Sequence, residues 1–112
     1  MLDPPPPRMT MTTQAVLRMF VEEPATIRYG LEIGAITGLP SGTIHPILAR
    51  LENIGWVESD WEQIDPKQEG QPRRRYYRLS ERGLTMARQS LAEVNAARAK
   101  LTGRLRVIGD LS

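Results

Sequence analysis

Cysteine is absent from this chain, so neither a disulfide framework nor a thiolate metal site is available, and the fold must rest on packing alone. The single histidine, His45, has no second imidazole for company, and no metal or cofactor is expected. Long apolar runs are missing as well. Nothing approaches the roughly 20 consecutive apolar residues of a membrane helix. The opening residues Met1, Leu2 and Asp3, followed by prolines at 4–7, lack the basic-then-apolar order of a secretion signal. A cytoplasmic protein without membrane contact is expected. Charge of one sign is scarce: fifteen Lys and Arg against thirteen Asp and Glu leave +2. That is too little to imply an anionic partner, so the distribution of charge has to decide.

What is present fits one domain. The 112 residues can bury roughly 60 to 70% of the surface exposed by the unfolded chain, enough for one modest core. The prolines at 4–7 exclude helix and sheet interior, so residues 1–9 read as a flexible, solvated, Pro-rich arm. Ala15, Val16, Met19 and Phe20 recur at helical spacing and predict a first helix over about 12–22, ended by Pro24. A short second helix places Tyr29, Ile33 and Ile36 on one face and stops at Gly38 and Pro40.

The third helix carries Ile44, Ile47, Leu48, Leu51 and Ile54 as one apolar stripe. Its start is read at Thr43. With Ser41 as the cap, Pro46 would deny the Gly42 carbonyl its partner, whereas a Thr43 cap places Pro46 among N–H positions that have no helical partner anyway. The helix is therefore expected over about 43–54, with Ser41 and Gly42 in the turn. After Gly55 the period changes to two: Val57, Ser59 and Trp61 alternate with Glu58, Asp60 and Glu62, as in a half-buried strand. A return strand runs over about 74–79, and the polar, Pro- and Gly-rich stretch 65–72 between them reads as a flexible loop.

Ser80 is the expected cap of a long final helix. There Leu84, Ala87, Leu91, Val94, Arg98, Leu101, Leu105 and Ile108 fall on successive a and d positions of a heptad repeat. A narrow seam of this length outruns what one small domain can cover, so a second copy of the same helix is the favoured partner. Arg98 would cost stability there but fix register. The alternative is packing back on the first helix within the monomer.

The order helix, strand, basic return strand suits nucleic acid. Arg73, Arg74 and Arg75 with Lys67 present planar or point cations that match phosphate oxygens and guanine edges. Cross-strand pairing with Glu58, Asp60 and Glu62 could occupy some of them, leaving the tip residues Lys67 and Arg73 as the expected free cations. Ser41, Thr43, His45 and Arg50 line the exposed start of the third helix, where small polar groups and the helix dipole favour phosphates or reach base edges. Enzymatic sites cannot be assembled. Ser41 and His45 lack a strained elbow and an orienting carboxylate. The row Glu58, Asp60 and Glu62 reads as an exposed, salt-laced strand face rather than an acid and base with separated pKa values. No Gly-rich phosphate loop is present, so no catalytic residue and no enzyme is expected.

Two blocks carry a family resemblance. The first is Gly42, Thr43, Ile44, His45 and Pro46, continuing through Arg50, Leu51, Glu52 and Gly55. The second runs without a break from Arg74 and Arg75 through Tyr76, Tyr77, Arg78, Leu79, Ser80, Glu81 and Arg82 to Gly83. With Tyr29, Gly30 and Trp61 they resemble the PadR family of bacterial transcriptional regulators, in its small subgroup with a single C-terminal helix. His45 and Gln71 depart from the family pattern, so an operator sequence cannot be carried over.

The resemblance implies a mainly α fold with a two-stranded β-wing. A winged helix-turn-helix is expected over 10–79, and a C-terminal dimerisation helix and tail over 80–112. It also implies a homodimeric repressor that binds double-stranded DNA at a palindromic operator, with the third helix in the major groove and the wing, about 62–75, on the backbone. The expected DNA-binding residues are Tyr29, Ser41, Gly42, Thr43, His45, Pro46, Arg50, Lys67, Gln71, Arg73, Arg74 and Arg75. Those expected to dimerise are Leu84, Leu91, Val94, Arg98, Leu101 and Leu105. A small-molecule effector is a further expected partner. The competing reading is a winged-helix protein-interaction or adaptor module that does not depend on DNA.

Overall fold

A computed structural model describes residues 4–111, residues 110 and 111 by their backbone alone. The elements run α1 (Met11–Glu22), β1 (Arg28–Tyr29), α2 (Gly30–Thr37), α3 (Ser41–Asn53), β2 (Val57–Trp61), α4 (Pro66–Glu69), β3 (Arg75–Leu79) and α5 (Glu81–Leu111). The strands form one antiparallel sheet in the order β1-β3-β2. Its main register sets Val57 opposite Leu79 and Trp61 opposite Arg75. The expected two-stranded ribbon thus gains a third, two-residue strand, which pairs Tyr29 with Tyr76.

The core lies where α1, α2, α3 and the inner face of the sheet meet. Val16, Leu17 and Phe20 of α1 pack with Ile33, with Ile44, Leu48 and Leu51 of α3, and with Trp56 and Val57. Each of these nine is at most 2% exposed, so the helical stripe expected on α3 is its packing face. On α2 the expectation holds for Ile33 alone. Tyr29 is extended and belongs to β1, which takes it out of the helical period, and Ile36 is half exposed. The helix does stop at Gly38, whose φ of 73° is a conformation that L side chains rarely adopt.

α3 starts two residues before the expected cap. Pro40 is the N-cap and Thr43 sits inside the helix. The Pro40 carbonyl accepts from the Thr43 and Ile44 amides at 2.9 and 3.1 Å, which nucleates the first turn without a side-chain cap. Pro46 does remove the intrahelical donor for Gly42, but Gly42 is exposed, where water can satisfy its carbonyl.

Three further expectations change. Residues 65–72 contain a helical turn, α4, because the Asp65 side chain accepts from the Lys67 amide at 3.0 Å and Gly70 closes the turn. The N-terminal arm is not wholly solvated: Pro7 is buried and Met9 packs on the core. Glu62, expected on an exposed acidic face, is only 7% exposed.

Ser80 caps α5 as expected. Its hydroxyl accepts from the Gly83 amide at 2.9 Å and donates to the Gly55 carbonyl at 2.7 Å. The first half of α5 joins the domain through Ala87 and Leu91, which are buried, and through half-buried Leu84. The second half projects clear of it, with Arg98 exposed and Leu101, Leu105 and Ile108 exposed by 58, 60 and 63%.

Candidate nucleic-acid interface

α3 buries Ile44, Leu48 and Leu51, so its period turns Gly42, His45, Pro46, Ala49, Arg50 and Asn53 outward, all of them exposed. Gly42, Pro46, Ala49 and Asn53 follow one another at spacings of four, three and four and form the crest of that face. Three of the four are small or compact. Their lack of bulk lets another backbone come close, and Asn53 adds a side-chain amide that can pair with a base edge. Neither charge nor motif singles out Ala49 and Asn53, which are exposed on the same face. The helical period from Gly42 and Pro46 was the signal that could have found them.

On one flank of the crest a groove of about 310 Å³ opens between α3 and the sheet. It brings together Tyr29, Ser41, His45, Arg74 and Arg75, five of the expected contact residues, from three parts of the chain. Gly30 faces His45 across it, and a Cβ there would lie 3.7 Å from the imidazole Cε1. Thr43 is half-buried beside the crest.

The arginines of β3 are less free than their number suggests. Arg74 binds Glu62 through Nε and lies 4.0 Å from the centre of the Tyr29 ring. Tyr29 in turn meets Tyr76 edge to face at 6.5 Å. Arg75 donates to Ser59 Oγ at 2.6 Å, reaches Glu52 at 3.3 Å and lies 5.4 Å from the Trp61 ring. Arg78 pairs with Glu58, its neighbour across the strands, at 3.3 Å. Asp60 instead accepts from the Trp61 amide.

Pairing across the strands therefore accounts for Arg74, and Glu52 of α3 together with Ser59 of β2 accounts for Arg75, so both wall the groove as fixed, partly neutralised groups. A buried carboxylate such as Glu62 needs its guanidinium partner, so Arg74 has a structural task whatever else it does.

The wing tip differs. Lys67, Gln71 and Arg73 are exposed. Arg73 uses Nε to donate to the Ile64 carbonyl at 2.9 Å, which orients the guanidinium without neutralising it. Lys67 has no acidic partner among the described residues. Arg50 sits on the opposite flank of α3, also without one. The expected residues thus divide into the α3 crest, the groove, the wing tip and the far flank. Of the expected dimerisation residues, Leu91 is in the domain's own core and Leu84 packs against it. Val94 is half-buried, and Arg98, Leu101 and Leu105 are exposed.

Among the described residues, no helix is long and apolar enough to cross a membrane.

A family model described as the transcriptional regulator PadR-like family matches residues 25–89, which spans α2, α3, the wing and the start of α5. No curated protein matches the chain in sequence. Among solved structures, a PadR-like transcription factor from Bacteroides fragilis is 23% identical with a TM-score of 0.63, over 88% of this chain and 89% of that one. A transcriptional regulator homologue from Pyrococcus horikoshii is 15% identical with a TM-score of 0.67, over 82% and 84%. A mutant of ZitR from Lactococcus lactis is 15% identical with a TM-score of 0.59, over 84% of this chain but only 64% of that chain. At these identities the likeness is one of fold.

Proposed function

Because the chain belongs to the PadR-like family of transcriptional regulators, we propose that it is a dimeric repressor that reads the major groove of DNA with α3 and grips the backbone with the tip of its wing. The observation that carries this reading is the exposed, compact crest of α3 beside a wing tip whose Lys67 and Arg73 have no acidic partner among the described residues. A helix with a low crest can approach base edges, and cations set to one side hold the phosphates that fix its register. Residues 10–79 make up the reading unit. α5 supplies the assembly helix, whose exposed Leu101, Leu105 and Ile108 await a second copy. A two-fold dimer implies an operator of two related half-sites. A small-molecule effector fits a repressor of this kind.

The groove residues Tyr29, Arg74 and Arg75 shape the surface between α3 and the wing, and Ser41 and His45 stand at its α3 edge. The test is the salt dependence of duplex binding. Each neutralised phosphate contributes about 0.9 to the slope of log K against log salt. Replacing Lys67 and Arg73 together with Ala is expected to flatten that slope by roughly 1.8 per protomer. An unchanged slope in this variant removes the wing from the interface.

A further inference from the structure

The crest of α3 has a second flank. With 100° of rotation per residue, Ser41, Ile44 and His45 turn toward the wing groove, while Pro46, Ile47 and Arg50 turn the other way. On that side lies a cavity of about 320 Å³, and its other wall is the N-terminal segment, through Pro7, Arg8 and Thr10.

This segment is held at several points. Pro7 is buried, the Met9 carbonyl accepts from Gln14 Nε2 at 2.7 Å, and Gln14 is itself only 6% exposed. Thr10 caps α1. Arg8 therefore sits between anchored neighbours, yet its own side chain is exposed.

Arg8 and Arg50 share the rim of one cavity, and neither has an acidic partner among the described residues. The contrast with Arg28, Arg74, Arg75 and Arg78 is direct, since each of those four is paired with a glutamate. Two cations on one rim repel each other and leave the site complementary to an anion. The anion nearest to hand is the DNA against which α3 is laid.

We propose that the Pro7–Thr10 segment is a built arm that holds Arg8 beside Arg50 to bind phosphates on the flank of α3 away from the wing, so that the helix is gripped from both sides. This rests on the DNA-binding reading above. The test is the same salt titration on the full chain with two variants. Arg8→Gln is expected to lower the slope of log K against log salt by about 0.9 per protomer. Arg8→Lys is expected to restore it, because a phosphate accepts a point charge as well as a planar fork.

Two outcomes would overturn the arm while leaving the wing reading intact. They are a wild-type slope in Arg8→Gln, whether its affinity is kept or lost equally at every salt concentration, and an Arg8→Lys variant that behaves like Arg8→Gln. A wild-type chain that binds no duplex at any salt would overturn both.

Discussion

Replacing Gly83 with alanine adds a single methyl group, yet the structure leaves no room for it. A Cβ at this position would lie 2.6 Å from the Trp56 carbonyl carbon and 2.8 Å from its Cα, and would overlap the Trp56 carbonyl oxygen. These are backbone atoms at the entry to β2, so no rotamer change relieves the clash. That carbonyl also accepts from the Ser80 amide at 3.0 Å, and the Ser80 hydroxyl binds the Gly55 carbonyl next to it. Moving α5 away from Trp56 therefore loosens the clamp that joins the sheet to the last helix.

Overpacking costs about 1 to 3 kcal/mol, and one or two weakened hydrogen bonds add about 1 kcal/mol each. The better helix propensity of alanine returns at most about 1 kcal/mol. The net expectation is a loss of about 3 kcal/mol, or a Tm lowered by roughly 10 to 20 °C for a domain of this size. Gly103→Ala is the matched control, because nothing lies within 4 Å of a Cβ there. The same chemical change in the same helix should stabilise slightly. Thermal denaturation of both variants at one protein concentration checks the pair. A Gly83→Ala protein as stable as the wild type would refute the close approach.

Three other expectations follow from the same structure. Leu101→Lys with Leu105→Lys should yield monomers by sedimentation with little change in secondary structure, since both side chains are exposed in the monomer; a variant that remains dimeric would contradict the seam. Arg74→Ala should cost about 1 to 3 kcal/mol in denaturant unfolding because it strands buried Glu62, and adding Glu62→Gln should recover most of it; an Arg74→Ala protein of wild-type stability would show that the pair is idle. His45→Ala should change which duplexes are preferred rather than weaken all of them equally, as read from binding to a panel of sequences. Uniform weakening would make His45 a phosphate contact.

Periodicity made the main elements legible. The stripe from Ile44 to Ile54 and the alternation after Gly55 are direct consequences of how side chains project from a helix and a strand; the stripe survives in the fold, while the alternation holds from Val57 to Asp60 and then reverses, with Trp61 48% exposed and Glu62 buried. Gly38 and Ser80 were legible for the same reason, since each satisfies a local backbone need. What was hidden depended on partners distant in the chain. That the acidic row could occupy some of the arginines was legible, and Arg74 does take Glu62 from it; the Arg75 partner Glu52 was hidden, because it reaches β3 only when α3 packs against the sheet.

β1 has only two residues and no alternation to betray it, and it exists because Tyr76 accepts Tyr29 as a neighbour. Pro7 reads as solvated lead-in, since nothing local shows that a core lies beneath it. The start of α3 was misplaced by treating one unpaired carbonyl as prohibitive when exposure makes it cheap. The seam of α5 was legible as a repeat, but its division into a half spent on the domain and a half left exposed required the packing.

The most direct measurement of the central claim is the ratio of affinities for a duplex selected from a random pool and for a scrambled duplex of equal length, at one physiological salt concentration. Enrichment of two half-sites related by a dyad is expected, with the selected duplex bound about 10³-fold or more tightly than the scrambled one. A ratio near one would leave only charge-driven adhesion, and would contradict the reading of DNA sequence by the crest of α3.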